Sequence, residues 1–273
     1  NNIDLTVYDS QNLAMNQLVS CGARIGKNSA DVAKNSEILF LCLPFSPQVD
    51  SVLFGKNGVT SGASPGLIII DMSTMYCSDT LNFQKRLSNS NLIYNDCPIS
   101  GMPFRAENGT LTMMFGGSKK TFEITKPYLE IIGEFILYCG DCGTGQMMKT
   151  FNNIVYNINI SGICEILPLA IKAGLQPETL EKMFTTASSR SFASEYFLPR
   201  LLERSFDKDF AMEDAYKDII NFQEIATINA AETPVSNAMI ATYKNTMEMG
   251  HKREPKSAMI KFYEKILNIT VKR

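Results

Sequence analysis

Three polar side chains lie on one face of a segment whose other residues suit a buried helix. Gln146, Lys149 and Asn153 are spaced i, i+3 and i+7, and the residues around them are mostly Met, Phe, Ile and Val. Polar groups in such a setting need partners or a cavity. Because an apolar pocket can lower the pKa of a lysine towards neutrality, the pattern predicts Lys149 as a general acid or base. The alternative is a lysine near a helix start whose ammonium reaches solvent.

An acidic residue follows the first apolar run of the chain, in Tyr8-Asp9. A carboxylate at the end of the second strand of a dinucleotide-binding sheet accepts hydrogen bonds from the adenosine ribose. It also repels a 2′-phosphate, so Asp9 in this place would favour NAD over NADP. The same residue could instead cap the helix that begins near Gln11.

Two further segments, Cys42-Leu43-Pro44 and Asp71-Met-Ser-Thr74, each close an apolar run that reads as a strand. Ligands of open α/β sheets bind outside the carboxyl ends of the strands, so both segments are placed to line one site. They could also be ordinary turns in which Ser46 and either Ser73 or Thr74 cap the following helices.

A third loop, Asp96-Cys-Pro-Ile-Ser-Gly101, follows the next strand. Ser100 and the backbone N–H groups near Gly101 could hold a carboxylate by charge-assisted hydrogen bonds. A glycine at 101 would allow close approach of the backbone. The segment could equally be a tight loop without a ligand. Lys217-Asp218, later in the chain, has the composition of a solvated surface pair.

Composition excludes several classes of protein. The chain has 273 residues, 26 basic and 28 acidic side chains and 45% hydrophobic residues. A net charge of -2 argues against a nucleic-acid-binding protein. The most apolar segment, residues 154–171, is interrupted by Asn, Glu and Pro, so we expect no membrane span and a soluble, cytoplasmic protein. Roughly 150 residues per domain predicts two domains.

Metal binding is not expected. The seven cysteines are scattered, and Cys139-Gly-Asp-Cys142 lacks the second pair that zinc sites normally use. The single histidine, His251, has no metal or triad partner in the sequence and is expected at a surface or helix end. Scattered cysteines in apolar runs are typical of a reducing compartment.

The elements that must position these residues divide the chain into two parts. Strands are predicted at 3–8, 37–43, 67–71, 92–95, 110–115 and 135–138, with helices at 11–19 and 80–87. This alternation predicts a Rossmann-type doubly wound parallel sheet, an α/β fold, covered on both faces. After Gly145 only helices are predicted, at 146–173, 177–186, 192–204, 210–230, 235–249 and 256–267. We therefore expect a dinucleotide-binding domain at 1–142 and an all-helical substrate and oligomerisation domain at 143–273.

Taken in order, these segments resemble the β-hydroxyacid dehydrogenase family, which includes 3-hydroxyisobutyrate dehydrogenase and tartronate semialdehyde reductase. The resemblance runs over almost the whole chain, and the order and spacing of the motifs make it specific. Its carriers are Val7-Tyr8-Asp9, Leu43-Pro44, Asp71-Met-Ser-Thr74, Asp96-Cys-Pro-Ile-Ser-Gly101, Gly109-Thr-Leu-Thr112 with Gly116-Gly117, Gly143-x-Gly-Gln-x-x-Lys-x-x-Asn-Asn153 and Lys217-Asp218.

The resemblance implies a hydride transfer between NAD(H) and a small β-hydroxy acid or semialdehyde. It implies Lys149 as the catalytic acid–base residue and Asn153 as its partner at the reacting group, with Asn152 adjacent for substrate binding. Ser100 and Gly101 would hold the substrate carboxylate.

For the cofactor, the resemblance implies that Asp9 selects NAD, with NADP as the alternative. Leu43, Pro44 and Thr74 would contact the nicotinamide half, and Lys217 would close the site from the helical domain. A C-terminal domain like that of 6-phosphogluconate dehydrogenase and a homodimer or homotetramer are also implied, with no nucleic-acid or membrane partner.

Two departures from the family pattern affect these expectations. Met102 stands where the family usually has a second glycine, which puts the identity of the substrate in question. The opening strand and its G-x-G-x-x-G turn, which seats the pyrophosphate, are absent. We therefore expect a fragment that lacks roughly 25–30 residues, about one strand–turn–helix unit. Such a chain should bind NAD poorly and expose an apolar edge at residues 3–8.

Two alternatives remain open. One is an NADPH-dependent glyoxylate or succinic semialdehyde reductase of the same family, which Asp9 disfavours. The other is a non-catalytic binding module that has kept the fold and lost cofactor binding. The missing glycine turn favours the module, and retention of Lys149, Asn153 and Ser100 together opposes it.

Overall fold

The computed structural model describes residues 3–207 and 209–273. The chain forms two compact units, of which the first ends at Lys149 and the second runs from Thr150 to Arg273. The change from one unit to the other falls inside a long helix, Thr144–Lys172. The predicted boundary near residue 142 and the roles assigned to the two domains stay predictions.

A six-stranded sheet forms the centre of the first unit. The strands of this unit are β1 Thr6–Val7, β2 Arg24–Ile25, β3 Ile38–Leu41, β4 Ile68–Asp71, β5 Ile93–Asp96, β6 Ile99–Ser100, β7 Leu111–Gly116 and β8 Gly133–Gly140. Its helices are α1 Asn12–Val19, α2 Ser29–Lys34, α3 Ser46–Phe54, α4 Cys77–Ser88, α5 Met102–Glu107 and α6 Lys119–Ile132. The main sheet has the order β3-β4-β5-β7-β6, and β8 pairs with β7. The α/β class of the prediction is confirmed.

The sheet is mixed rather than parallel throughout. The strands β3, β4 and β5 are parallel, as are β7 and β8. In contrast, β7 runs antiparallel to both β5 and β6. Because β7 lies between β5 and β6 and is antiparallel to both, β5 and β6 run in the same direction and the reversal occurs at β7. The expectation of a wholly parallel sheet is therefore wrong at this end.

Both faces of the sheet are covered, as predicted. The neighbouring β4 residues Ile69 and Ile70 point to opposite faces and are each fully buried. Ile69 belongs to the apolar cluster that contains Leu53 and Phe83 from α3 and α4. Ile70 belongs to the cluster that contains Phe122 from α6. Near-continuous apolar strands are thus explained by helices on both sides.

The first predicted strand is reduced to β1, which lies outside the main sheet. Among the described residues it pairs with β2 alone, in a two-stranded parallel sheet with Thr6 opposite Arg24. Leu5, Tyr8 and Ile25 are 46–48% exposed. The expected apolar edge at residues 3–8 is confirmed.

Helices form the described part of the second unit, with one isolated antiparallel bridge between Ala211 and Pro255. They are α7 Thr144–Lys172, which begins in the first unit, α8 Pro177–Thr186, α9 Phe192–Leu202, α10 Met212–Ile228, α11 Pro234–Thr246 and α12 Met259–Leu267. Prolines stand at the starts of α8 and α11, where a missing N–H costs nothing. Gly174 follows the end of α7 with a φ of +99°, as a helix-terminating glycine does.

The helix α7 is more apolar than its polar interruptions suggest. An 18-residue window of it has a mean hydropathy of 1.6, so by length and composition it could cross a membrane. The polar interruptions do not keep the mean hydropathy of this segment low, because its Ile and Leu residues outweigh them, and the expectation of no membrane span stays a prediction. Ile154, Ile160 and Leu167 are at most 3% exposed and belong to the core of the second unit.

Candidate active site

Asp96, the last residue of β5, fixes the start of α7. Its Oδ1 accepts the N–H of Gly143 at 2.6 Å, and its Oδ2 accepts the N–H of Gln146 at 2.7 Å. A carboxylate in this position satisfies unpaired N–H groups and complements the helix dipole. Gly145 is required here, because a Cβ would lie 2.2 Å from the Met114 carbonyl oxygen. Burial raises the pKa of Asp96 to about 6, although the two N–H donors oppose the shift.

Asp71 organises the loops at the carboxyl ends of β3 and β4. It is fully buried, and its carboxylate accepts the N–H of Ser73 at 2.9 Å and the Tyr94 hydroxyl at 2.7 Å. The Ser73 hydroxyl in turn accepts the N–H of Leu43 at 2.9 Å. Burial raises the pKa of Asp71 to about 6, against the effect of its hydrogen bonds.

The structure tests the alternative in which Ser46 and either Ser73 or Thr74 cap the following helices. The helices α3 and α4 begin after Phe45 and Tyr76, so neither Ser73 nor Thr74 occupies the cap position. Ser73 instead joins two loops at one edge of the sheet, where Pro44 is exposed and Thr74 is half-buried.

Gln146 connects the first turn of α7 to the loop after β4. Its side-chain Nε2 donates to the Ser73 carbonyl at 2.7 Å, and its Oε1 accepts the N–H of Met75 at 3.2 Å. At 1% exposed, it is a buried group with its polar atoms paired. The first member of the polar row therefore holds the helix in place.

The other members of the row follow along α7. Lys149 is half-buried one turn after Gln146. Asn153, 9% exposed, donates from Nδ2 to Asp218 Oδ2 at 2.8 Å. Its Oδ1 accepts the Asn152 amide at 3.1 Å. The Asn153 amide is thus held in one orientation.

Asp218 corrects the expectation of a solvated Lys-Asp pair. It is 5% exposed and faces Asn153, whereas Lys217 is half-buried with its Nζ 6.0 Å from the centre of the Phe210 ring. Burial lowers the pKa of Lys217, and neighbouring carboxylates oppose that shift. The helical period contains a signal for Asp218, because it lies three or four residues from buried Ala215 and Phe222.

The residues expected to hold the substrate carboxylate lie at the end of β6. Ser100 is half-buried, and within residues 3–207 and 209–273 its hydroxyl makes no hydrogen bond. Gly101 has a φ of +146°, and a Cβ there would lie 2.8 Å from Arg105 Cβ. Met102 has a φ of +62°, in the left-handed region that favours glycine. The glycine that the family usually has at this position would suit this backbone better than Met102 does.

Asp9 is exposed just after β1, and its Oδ1 accepts the N–H of Gln11 at 2.7 Å. This contact agrees with a role at the start of α1. In the described part of the chain no hydrogen bond involves Oδ2, so that oxygen remains available to ribose hydroxyls. The roles predicted for Asp9 at the adenosine ribose and for Leu43, Pro44 and Thr74 at the nicotinamide half stay predictions. No G-x-G-x-x-G turn for the pyrophosphate occurs in the sequence.

The cysteines and the histidine form no metal centre in the described ranges, where no group of three or more His, Cys, Asp or Glu side chains could hold an ion. All seven cysteines are free. Burial raises the pKa of Cys139 to about 11 and that of Cys142 further still. His251 ends a π-helical turn and lies 2.9 Å from Glu254 Oε1, at the helix end where it was expected.

Two family models match the chain. Residues 1–141 match the model described as the NAD binding domain of 6-phosphogluconate dehydrogenase. Residues 143–263 match the model described as NAD-binding of NADP-dependent 3-hydroxyisobutyrate dehydrogenase. Together these matches extend over almost all of the sequence.

The chain is also similar to individual dehydrogenases and reductases over most of its length. The chain is 34% identical over 270 residues to 2-(hydroxymethyl)glutarate dehydrogenase of Eubacterium barkeri, a match that covers 98% of this chain and 90% of the relative. It is 31% identical over 252 residues to 2-hydroxy-3-oxopropionate reductase of Escherichia coli K12, covering 92% and 86% of the two chains. With 90% of the first relative's length covered, these comparisons do not support the expectation that the chain is a fragment.

The fold matches that of solved enzymes. 3-Hydroxyisobutyrate dehydrogenase from Salmonella typhimurium superposes with a TM-score of 0.85 at 24% identity, covering 94% of this chain and 90% of that chain. At this identity the likeness concerns the fold alone.

Proposed function

The chain belongs to the β-hydroxyacid dehydrogenase family and is an NAD(P)-dependent oxidoreductase of small hydroxy acids, and from this premise we propose that Lys149 is its acid–base residue. The observation that carries the proposal is the polar row on α7. Gln146 and Asn153, on either side of Lys149, are both buried, and each is held by hydrogen bonds to its own unit. A lysine between two fixed side chains has a defined place on the helix face.

The reaction divides between cofactor and protein. When bound, the nicotinamide accepts the hydride in oxidation and supplies it in reduction. Lys149 Nζ takes the proton of the substrate hydroxyl in oxidation and returns it to the carbonyl oxygen in reduction. Asn153, oriented by Asp218 and assisted by Asn152, hydrogen-bonds the reacting group.

The substrate is a small β-hydroxy acid or the matching semialdehyde. Ser100 supplies a hydroxyl donor and Gly101 a backbone N–H for its carboxylate, and charge-assisted hydrogen bonds of this kind are the strong ones. Two of the relatives support this class by their names, 2-(hydroxymethyl)glutarate dehydrogenase and 2-hydroxy-3-oxopropionate reductase. Each named substrate has a hydroxyl or carbonyl oxygen on the carbon β to a carboxylate.

The cofactor in this proposal is NAD. Asp9 binds the adenosine ribose, while Leu43, Pro44 and Thr74 contact the nicotinamide half and Lys217 contributes a cation. The second candidate is an NADPH-dependent reductase, which the NADP-dependent description of the matched second model favours. The carboxylate of Asp9 opposes it by repelling a 2′-phosphate.

The test is Lys149→Ala with NAD and NADP as separate cofactors. Loss of a general acid or base lowers turnover roughly 10²- to 10⁴-fold, and we expect that loss with NADH binding nearly unchanged. Lys120→Ala, on the exposed start of α6, is the matched control and should keep full activity. Unchanged turnover in Lys149→Ala would remove Lys149 from the mechanism. A higher kcat/KM with NADP than with NAD would favour the second candidate.

The assembly in this proposal is a homodimer or homotetramer that binds small molecules and neither nucleic acid nor membrane. An apolar stripe on α7 supports it, since Phe151, Val155, Ile166 and Leu169 are 42–58% exposed at helical spacing. Free cysteines support a reducing compartment such as the cytoplasm.

A further inference from the structure

A lysine is buried in the second unit, and no described residue forms an ion pair with it. Lys256 begins the 3-10 turn Lys256–Ala258 and is 8% exposed. Among the described residues its Nζ makes no hydrogen bond or ion pair, and it faces the Tyr156 ring with 5.6 Å to the ring centre. An ammonium has three donors, and none of those of Lys256 is taken by another described residue. The Lys256 ammonium is therefore able to donate to a bound molecule.

The residue after Lys256 and the residue after Tyr156 also have polar side-chain atoms without a hydrogen-bond partner among the described residues. Ser257, which follows Lys256, has a buried hydroxyl without a hydrogen-bond partner in the described ranges. Asn157, which follows Tyr156, is fully buried, and neither polar atom of its side chain has a partner there. Both residues lie beside the contact between Lys256 and Tyr156 in the sequence, so the polar groups around that contact come from α7 and from the turn Lys256–Ala258.

Two of these residues, Tyr156 and Asn157, lie close to Asn153 along α7. Tyr156 and Asn157 follow Asn153 by three and four residues, which is one helical turn, about 5 Å along the axis. Asp218, which holds the Asn153 amide, is also the carboxylate whose charge acts on Lys256. The Tyr156 ring that faces Lys256 is therefore carried one helical turn from the residue proposed to bind the reacting group.

We propose that Lys256 binds a second carboxylate of the substrate, which makes the preferred substrates β-hydroxy dicarboxylic acids. This inference rests on the function proposed above. A single lysine on which one aspartate charge also acts suits a singly charged carboxylate better than a doubly charged phosphate. Burial lowers the pKa of Lys256, and a carboxylate bound against it favours the charged form.

The experiment compares a dicarboxylate with a monocarboxylate in the full chain. The substrates are 2-(hydroxymethyl)glutarate and 3-hydroxyisobutyrate, each with NAD, and the measured quantity is kcat/KM. We expect the wild type to prefer the dicarboxylate by at least about 10-fold. Lys256→Met should lower kcat/KM for the dicarboxylate roughly 10- to 100-fold and change that for the monocarboxylate by less than about 3-fold.

Two further variants separate charge from packing. Lys256→Arg keeps the charge and should retain the preference for the dicarboxylate, while Lys265→Met, on the exposed side of α12, should change neither value. Equal losses on both substrates in Lys256→Met, or no preference in the wild type, would overturn the inference and leave the proposed function standing.

A binding measurement covers the remaining outcome. If the wild type turns over neither substrate, the proposed function fails, and calorimetric binding of glutarate still decides the role of Lys256. Tighter binding by the wild type than by Lys256→Met supports the carboxylate site, and equal binding overturns it.

Discussion

At the scale of single residues, buried carboxylates define the edge of the sheet. Asp71 and Asp96 end adjacent parallel strands and are paired in register. Both are fully buried, and both accept hydrogen bonds from groups that fix the surrounding loops. Their positions at strand ends suggested a ligand site, but their hydrogen bonds hold the loops and α7 in place.

Because burial raises the pKa of Asp71 from 3.8 to about 6, it makes stability depend on pH. The folded protein holds this proton more tightly than the unfolded chain. Protonated Asp71 therefore contributes to the free energy of unfolding below about pH 4, and this contribution is lost as pH rises to about 6. Asp71→Asn removes the titration and keeps polar atoms at both positions. Urea unfolding should show the wild type losing up to about 3 kcal/mol relative to this variant between those pH values.

The exposed Asp141→Asn variant is the matched control for loss of a carboxylate. Its free energy of unfolding should follow that of the wild type across the same pH range. Parallel curves for the wild type and Asp71→Asn would contradict the role of Asp71 burial.

The spacing of residues predicted part of the candidate site and could not predict the rest. The row on α7 is local, so a period of 3.6 suffices to place Gln146, Lys149 and Asn153 together. The partner of Asn153 is 65 residues away, and no spacing rule connects it to Asp218. Lys256 received no role, because its burial arises from tertiary packing rather than from a helical pattern.

At the scale of elements, the loop into α5 carries a conformational cost. Met102 has a φ of +62° at the first position of this helix. A left-handed backbone costs an L-residue about 1–2 kcal/mol, and glycine avoids this cost. Because glycine is more flexible in the unfolded chain, it loses more entropy on folding, which costs about 0.5–1 kcal/mol. The difference explains why a glycine would suit position 102.

We expect Met102→Gly to be more stable than Met102→Ala by about 1 kcal/mol, because alanine retains the Cβ that the left-handed backbone disfavours. Both variants remove the same half-buried side chain beyond Cβ, so the comparison isolates the backbone. Thermal or urea unfolding measures it. A Met102→Ala variant as stable as Met102→Gly would show that the loop relaxes at no cost.

Elements with strong periodicity were predicted well, and short ones were not. The helix at 177–186 agrees with α8 at both ends, because Pro177 starts it and the apolar face is regular. The pair β6 and α5 was missed, since two residues of strand and six of helix carry too little pattern. The reversal of direction at β7 makes the sheet mixed rather than parallel.

At the scale of the whole molecule, the exposed apolar stripe on α7 predicts an oligomer. Val155 is 58% exposed in the middle of that stripe. In an assembly that buries it, Val155→Glu would place an unpaired charge in the interface at a cost of several kcal/mol. We expect the wild type to elute as a dimer or tetramer at micromolar concentration and Val155→Glu as a monomer.

Val235→Glu is the matched control, since Val235 is 64% exposed on α11 and lies outside the stripe. This variant should keep the assembly of the wild type. A monomeric wild type, or equal dissociation of both variants, would contradict an interface at α7.

The small sheet of β1 and β2 gives the chain two timescales of opening. Its backbone bonds include those from Arg24 N–H to Leu5 O and from Gly26 N–H to Val7 O, and exposed side chains flank them. A lone pair of strands is marginal in water, so these amides exchange their hydrogens through local fluctuations. The amides of β4, paired on both sides and buried, exchange only when the sheet itself comes apart. We therefore expect the pair of β1 and β2 to open and close many times within the lifetime of one folded main sheet.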